Sequence, residues 1–238
     1  MRSSAASAAR RPSPGVRRAA RRHDANVPSP ATTLRTPGPR PPLDPDGARR
    51  LVSAARARAA ILVEGWSDQA ALEALARRRG RDLRAEGVVV VPIGGATNLQ
   101  RFVQALGPQG LGVRLAGLCD IAELRHVRRG LEGAGMAANE RIEDHGFYAC
   151  DADLEDELIR AVGTASVERV LGAEGELASF RRFQDQPAQR GRDLHAQLHR
   201  FLGTRAGRKV RYGALLVDAL ELDRVPPALD LALARVRG

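Results

Sequence analysis

Aromatic side chains make up only 3% of this 238-residue chain, which leaves few platforms on which the bases of a single strand could stack. No apolar run approaches the roughly 18 residues of a membrane-spanning helix, so no segment reads as a span. Cysteine is scarce: Cys119 and Cys150 each stand directly before an aspartate, Asp120 and Asp151, and form no Cys-x-x-Cys pair. They read as small buried residues of a reducing compartment, and the expected location is cytoplasmic. Lysine is all but missing, with Lys209 set against 37 arginines. So lopsided a ratio points to GC-rich coding more than to selection for DNA binding. His195 and His199 are spaced i, i+4 but lack the glutamate of a His-Glu-x-x-His site, so zinc is not expected. Gly203 to Val210 lacks the spacing and the Ser/Thr of a nucleotide-binding P-loop.

What charge there is lies unevenly. The formal net charge is +10, yet residues 1–50 hold 11 Arg against 3 Asp, and the remainder is close to neutral with 27 basic and 25 acidic residues. The same first 50 residues carry nine of the 14 prolines and no helical or strand period. They read as a disordered Arg/Pro/Ser/Ala arm able to bind phosphates loosely. A transit-like leader and an extension from an early start codon are the competing readings.

From residue 51 strands and helices alternate. Residues 59–64 predict a first strand and 67–79 a helix with Ala70, Leu72, Leu75 and Ala76 on one face. Val88 to Ile93 predicts a second strand, then Gly94-Gly95 and a helix carrying Leu99, Phe102, Val103 and Leu106. Val113 to Cys119 predicts a third strand ending in Asp120, and residues 123–133 a helix. Phe147 to Cys150 predicts a fourth strand, leading through Asp151 and Asp153 into the helix Leu154 to Ile159. Such alternation implies a parallel sheet with right-handed crossovers. Beyond residue 166 the pattern is helical: Val167 to Leu177, Leu194 to Leu202, Tyr212 to Leu222 and a short helix after Pro226-Pro227. Leu194, Leu198, Phe201 and Leu202 read as core packing.

The apolar run Ile61-Leu62-Val63 ends in Glu64, turns at Gly65 and meets Asp68 in the next helix. In a parallel sheet the carboxyl ends of strands face the crevice where ligands bind. Glu64, Asp120 and the pair Asp153/Glu155 all lie at such ends, so they are expected to converge. Gly94-Gly95 reads as a tight turn or as a phosphate-binding turn at a helix start. Hard oxygen ligands favour magnesium or manganese, and two cations about 3.5–4 Å apart neutralise the charge that develops in phosphodiester cleavage. The single Lys209 reads either as a solvated surface residue or as a compact ammonium that approaches the scissile phosphate.

The Glu-Gly-x-x-Asp turn after the first strand, the Gly-Gly turn after the second and the acid closing the third resemble the TOPRIM domain of topoisomerases, primases, recombination-mediator proteins and OLD-type nucleases. Asp153-Leu154-Glu155-Asp156 resembles the Leu-Glu motif of the OLD (overcoming lysogenization defect) branch. The likeness runs from about residue 58 to 165 and more weakly to about 215. It implies a TOPRIM/Rossmann-like α/β fold over 51–165, a four-stranded parallel sheet flanked by helices, set between the arm over 1–50 and the helical C-terminal extension over 166–238 that composition and period predict. It also implies that Glu64 is a metal ligand or the general acid/base, Asp68 a supporting ligand, Asp120 the first acid of the family's Asp-x-Asp pair, and Glu155 a ligand for a second ion. Ala122 stands where the second acid of that pair belongs, and Glu123 one position later is its candidate replacement. Asp153 joins the metal set. Lys209 is the candidate for the basic residue that follows the Leu-Glu helix.

The resulting expectation is a Mg2+- or Mn2+-dependent nuclease using two ions on nucleic acid, DNA ahead of RNA. Arg181, Arg182, Arg208, Lys209 and Arg211 are the candidate nucleic-acid contacts. Two alternatives stay open: a catalytically weakened TOPRIM module that binds nucleic acid or a partner ATPase, and a small RNA-maturing endonuclease. The sequence carries no ATPase motif, so it reads as a free-standing TOPRIM protein that acts alone or with an ATPase supplied in trans; a homodimer is compatible with this reading.

Overall fold

The computed structural model describes residues 41–137, 140–205 and 207–237. Most of the expected arm, residues 1–40, therefore lies outside the described residues. Its last part does not: Pro45–Ala54 is a helix, α1, with Asp44 as N-cap accepting from the Gly47 N–H at 2.6 Å and proline in its first turn. The prolines that hid a helical period from sequence reasoning include the one that starts this helix, because proline's missing N–H is no loss at a first helical position.

The chain then alternates as expected: β1 (Ala59–Val63), α2 (Trp66–Arg78), β2 (Val88–Pro92), α3 (Leu99–Leu106), β3 (Arg114–Asp120), α4 (Leu124–Gly133), β4 (Phe147–Cys150) and α5 (Leu154–Val162). The strands form one parallel sheet in the order β2-β1-β3-β4. Side chains alternate across a strand, so a sheet covered on both faces needs a continuous apolar run. In β1, Ala59, Ile61 and Val63 enter one core and Ala60 and Leu62 the other. Helices α1, α3 and α4 close the second face.

The first face takes α2 and α5 together with five helices of the C-terminal third: α6 (Thr164–Ala173), α7 (Leu177–Gln184), α8 (Leu194–Leu202), α9 (Arg208–Ala219) and α10 (Pro227–Arg235). The single helix expected over Val167 to Leu177 is two, because Gly175 takes φ +70° and turns the chain between them. The second of these, α7, carries Phe180 and Phe183 into an aromatic cluster with Phe201. Helix α9 starts earlier than its apolar period implied, after Gly207 in the left-handed region. Lys209 therefore sits in a first helical turn rather than in a loop.

Among the described residues no helix is long and apolar enough to cross a membrane.

Candidate active site

Four segments bring acids to the carboxyl edge of the sheet. Glu64 leaves the end of β1, and the turn at Gly94 holds its backbone, the Gly94 N–H donating to the Glu64 carbonyl at 3.0 Å. Gly94 and Gly95 have φ of +74° and +109°, conformations that glycine adopts without strain. The Gly94 N–H is thus already used to hold Glu64, and the Gly-Gly pair acts as a tight turn that fixes the first acid. Asp68 turns back to accept the Gly65 N–H at 2.7 Å. Asp120 closes β3, and its N–H donates to Glu64 Oε1 at 3.3 Å. Glu155, in the first turn of α5, is 5% exposed; its Oε2 meets Lys209 Nζ at 3.3 Å and its Oε1 is buried without a hydrogen-bond partner.

These groups feel one another. Burial, with the charges of Glu64, Asp153, Asp68 and Glu155, pushes Asp120 up to about 7. Asp68 also rises to about 7, through burial first and then Glu155 and Glu64, against the Gly65 N–H and Lys209, which lower it. Glu64 is raised by burial and by Glu123, Glu155 and Asp153, in spite of the Asp120 N–H. Burial alone would lower Lys209, but Glu155, Asp153 and Asp68 outweigh it and hold the ammonium above its ordinary value. A cluster of carboxylates that raise one another's pKa, with one buried oxygen left unpaired, stores a demand for positive charge.

Asp153 is placed differently from the others. Its carboxylate caps α5 by accepting the Asp156 N–H at 2.8 Å and takes His199 Nε2 at 2.8 and 3.0 Å. These hydrogen bonds outweigh its burial and hold its pKa below the ordinary value. His195 pairs with Asp156 at 2.6 Å in the same way, so the two histidines strap α8 to the start of α5. Their i, i+4 spacing was visible in the sequence, but partners 39 and 46 residues away were not. Ala122 is exposed in a 3-10 turn over Ile121–Glu123, and the Glu123 carboxylate is engaged by His126 Nδ1 at 2.8 Å. Glu123 still adds to the field at Glu64.

Residues 57–121 match the sequence model of the family described as "Overcoming lysogenization defect protein-like, TOPRIM domain". The fold agrees over a longer stretch. The C-terminal region of the Xanthomonas campestris pv. campestris OLD protein, in its platinum-phased structure, superposes with a TM-score of 0.58 at 27% identity over 76% of this chain and 93% of that one. Over residues 57–121 the chain is thus similar to OLD-like TOPRIM domains. The C-terminal region of the Burkholderia pseudomallei OLD protein has the same fold, with a TM-score of 0.57 at 23% identity over 76% of this chain and 97% of that one. No curated protein matches the chain.

The segment matching the TOPRIM model supplies Glu64, Asp68 and Asp120, and α5 and α9 supply Glu155 and Lys209 from beyond it. Among the described residues no three His, Cys, Asp or Glu side chains stand together as a ready-made metal-binding group. The donor set nevertheless fits a hard cation in kind: oxygen ligands only, mutual repulsion, and a buried Glu155 oxygen with no partner. The arginines expected at nucleic acid fare less well. Arg208 is 4% exposed, stacks 4.0 Å from the Phe201 ring and pairs with Glu176 at 2.6 Å. Arg211 pairs with Glu174 and Glu176, and Arg181 with Glu168 at 2.7 Å. Of the five residues, Arg182 is the one exposed without such a pair among the described residues. Buried and paired guanidiniums serve the α6–α9 packing, which a sequence period cannot reveal.

Proposed function

We propose that this protein is a divalent-metal-dependent nuclease that hydrolyses phosphodiester bonds of nucleic acid, DNA in the first instance. The observation that carries this reading is the convergence of Glu64, Asp68, Asp120 and Glu155 on one edge of the sheet, with the Lys209 ammonium 3.3 Å from Glu155. Those four carboxylates would hold magnesium or manganese, and such ions neutralise charge on the attacked phosphate and the leaving oxygen. Glu64, oriented by the Asp120 N–H and raised in pKa chiefly by burial, is suited to take up or release a proton, as a general acid or base must. Lys209 approaches the phosphate as a point charge, with Glu155 fixing its ammonium. The Gly94 N–H keeps the Glu64 backbone in place while these charges change.

A second reading, a TOPRIM module that binds without cutting, draws on Ala122 at the position of the second acid and on the engagement of Glu123 by His126. Cleavage of supercoiled plasmid and of structured RNA by the full chain, with magnesium or manganese and beside Glu64→Gln, decides between them. We expect metal-dependent nicking that falls at least about 100-fold in the variant, the scale of a lost acid/base group. Wild-type protein that binds nucleic acid but cuts neither substrate at any metal concentration leaves the binding module standing.

A further inference from the structure

The arginines expected at nucleic acid are largely neutralised, whereas α4 gathers three exposed and unpaired arginines on one helix face. Helix α4 continues directly from Asp120 through the Ile121–Glu123 turn, so its first residues stand beside the candidate active site. Val127, Gly130 and Leu131 bury one face of it, with Gln100 and Gln104 of α3 donating to the Gly133 carbonyl at 3.0 and 3.1 Å. The opposite face carries Arg125, Arg128 and Arg129, all exposed. Spacing of i, i+3 and i+4 places three guanidiniums on one stripe of a helix. Among the described residues none of the three makes a hydrogen bond or an ion pair. The acids nearest in sequence are accounted for: Glu123 is held by His126, and the exposed Glu132 makes no ion pair to the stripe.

The contrast with the paired arginines is physical. Arg79, Arg81, Arg160, Arg181 and Arg211 each face a carboxylate, and an arginine so paired releases no phosphate counterion unless its own pair is first broken. Three unpaired guanidiniums on a rigid helix that leads to the acids are arranged for a phosphate backbone, which they fork bidentately without reading bases. We infer that the outer face of α4, through Arg125, Arg128 and Arg129, is the track that holds the nucleic-acid backbone and leads it to Glu64 and Asp120. The inference rests on the proposed function in taking nucleic acid as the partner. It requires no cleavage.

The test uses the full chain carrying Glu64→Gln, so that binding of a short fluorescent DNA duplex in magnesium is read without cutting. Each lost phosphate contact lowers the slope of log affinity against log salt by about 0.9. Arg125→Ala/Arg128→Ala/Arg129→Ala is expected to lower the slope by about 2.7 and to weaken binding at 0.1 M salt on the order of 100-fold. The corresponding triple lysine variant keeps the charge and is expected to keep the slope. Arg79→Ala/Arg141→Ala, which removes two arginines already paired with carboxylates, is expected to leave it unchanged. An alanine triple that melts at the parent temperature and retains the parental slope overturns the track, as does a parent that binds no duplex at any salt. Plasmid cleavage by the wild-type chain, run in parallel, separates the two ideas: cleavage with an unchanged slope sinks the track and spares the nuclease, while a lowered slope without cleavage does the reverse.

Discussion

At the scale of single residues the chemistry lies in carboxyl groups held where they resist ionising. Asp68 and Asp120 have pKa values of about 7 in the fold against an ordinary 3.8. Between those limits the folded chain keeps protons that the unfolded chain has released. Stability therefore declines as pH rises from about 4, and the penalty is complete above about 7. Asp120→Asn removes one of the repelling charges while its backbone N–H still reaches Glu64. In EDTA at pH 8 the variant should melt above wild type, by about 2–4 °C for each 1 kcal/mol relieved in a chain of this size. At pH 5, where the wild-type acid is largely protonated, the gain should shrink toward zero. Melting curves at the two pH values check this, and an equal gain at both would show that the acid is not destabilised by its neighbours.

At the scale of elements the decisive contact is between α2 and α9. A Cβ on Gly213 would stand 2.7 Å from the Ser67 carbonyl oxygen, so glycine there lets α9 lie directly against the first turn of α2. Asp68 and Lys209 belong to the first turns of these two helices, and Arg78 ties them further by donating to the Val217 carbonyl at 2.6 Å. Gly213→Ala must push the helices apart, at a cost of about 1–3 kcal/mol for an overpacked site. The expected readout is a lower melting temperature together with weaker cleavage, because the ammonium moves relative to the acids. A variant with unchanged melting would mean that the helices separate freely and that their contact does not position the site.

At the scale of the whole molecule the C-terminal third belongs to the core rather than hanging from it. Phe180, Phe201, Tyr212, Leu216 and Leu229 share one buried cluster with Ile61, Val63 and Leu72. A fragment of residues 51–165 keeps α2 and α5 on that face but uncovers the apolar surface that α6 to α10 bury, and so incomplete a core does not persist alone in water. Such a fragment should lack dispersed amide resonances and a cooperative thermal transition. A well-dispersed spectrum would instead make residues 166–238 a separable extension.

Much of this was legible in the chain itself. Continuous apolar runs ending in Glu64 and Asp120 announced a sheet buried on both faces with acids at its carboxyl edge, because strand period and burial are local consequences of side-chain type. The glycine turns after β1 and β2 and the run Asp153-Leu154-Glu155 were equally local. What the sequence could not carry were pairings across long separations: His199 taking Asp153 away from a simple ligand role, Glu176 drawing Arg208 and Arg211 inward, and His126 engaging Glu123. Whether an arginine is a surface charge or a core strut depends on which distant carboxylate it meets. The sequence thus determined the kind of sheet and the acids at its carboxyl edge, while the packing of α5 to α9 against α2 decided which charges face those acids and which stay unpaired.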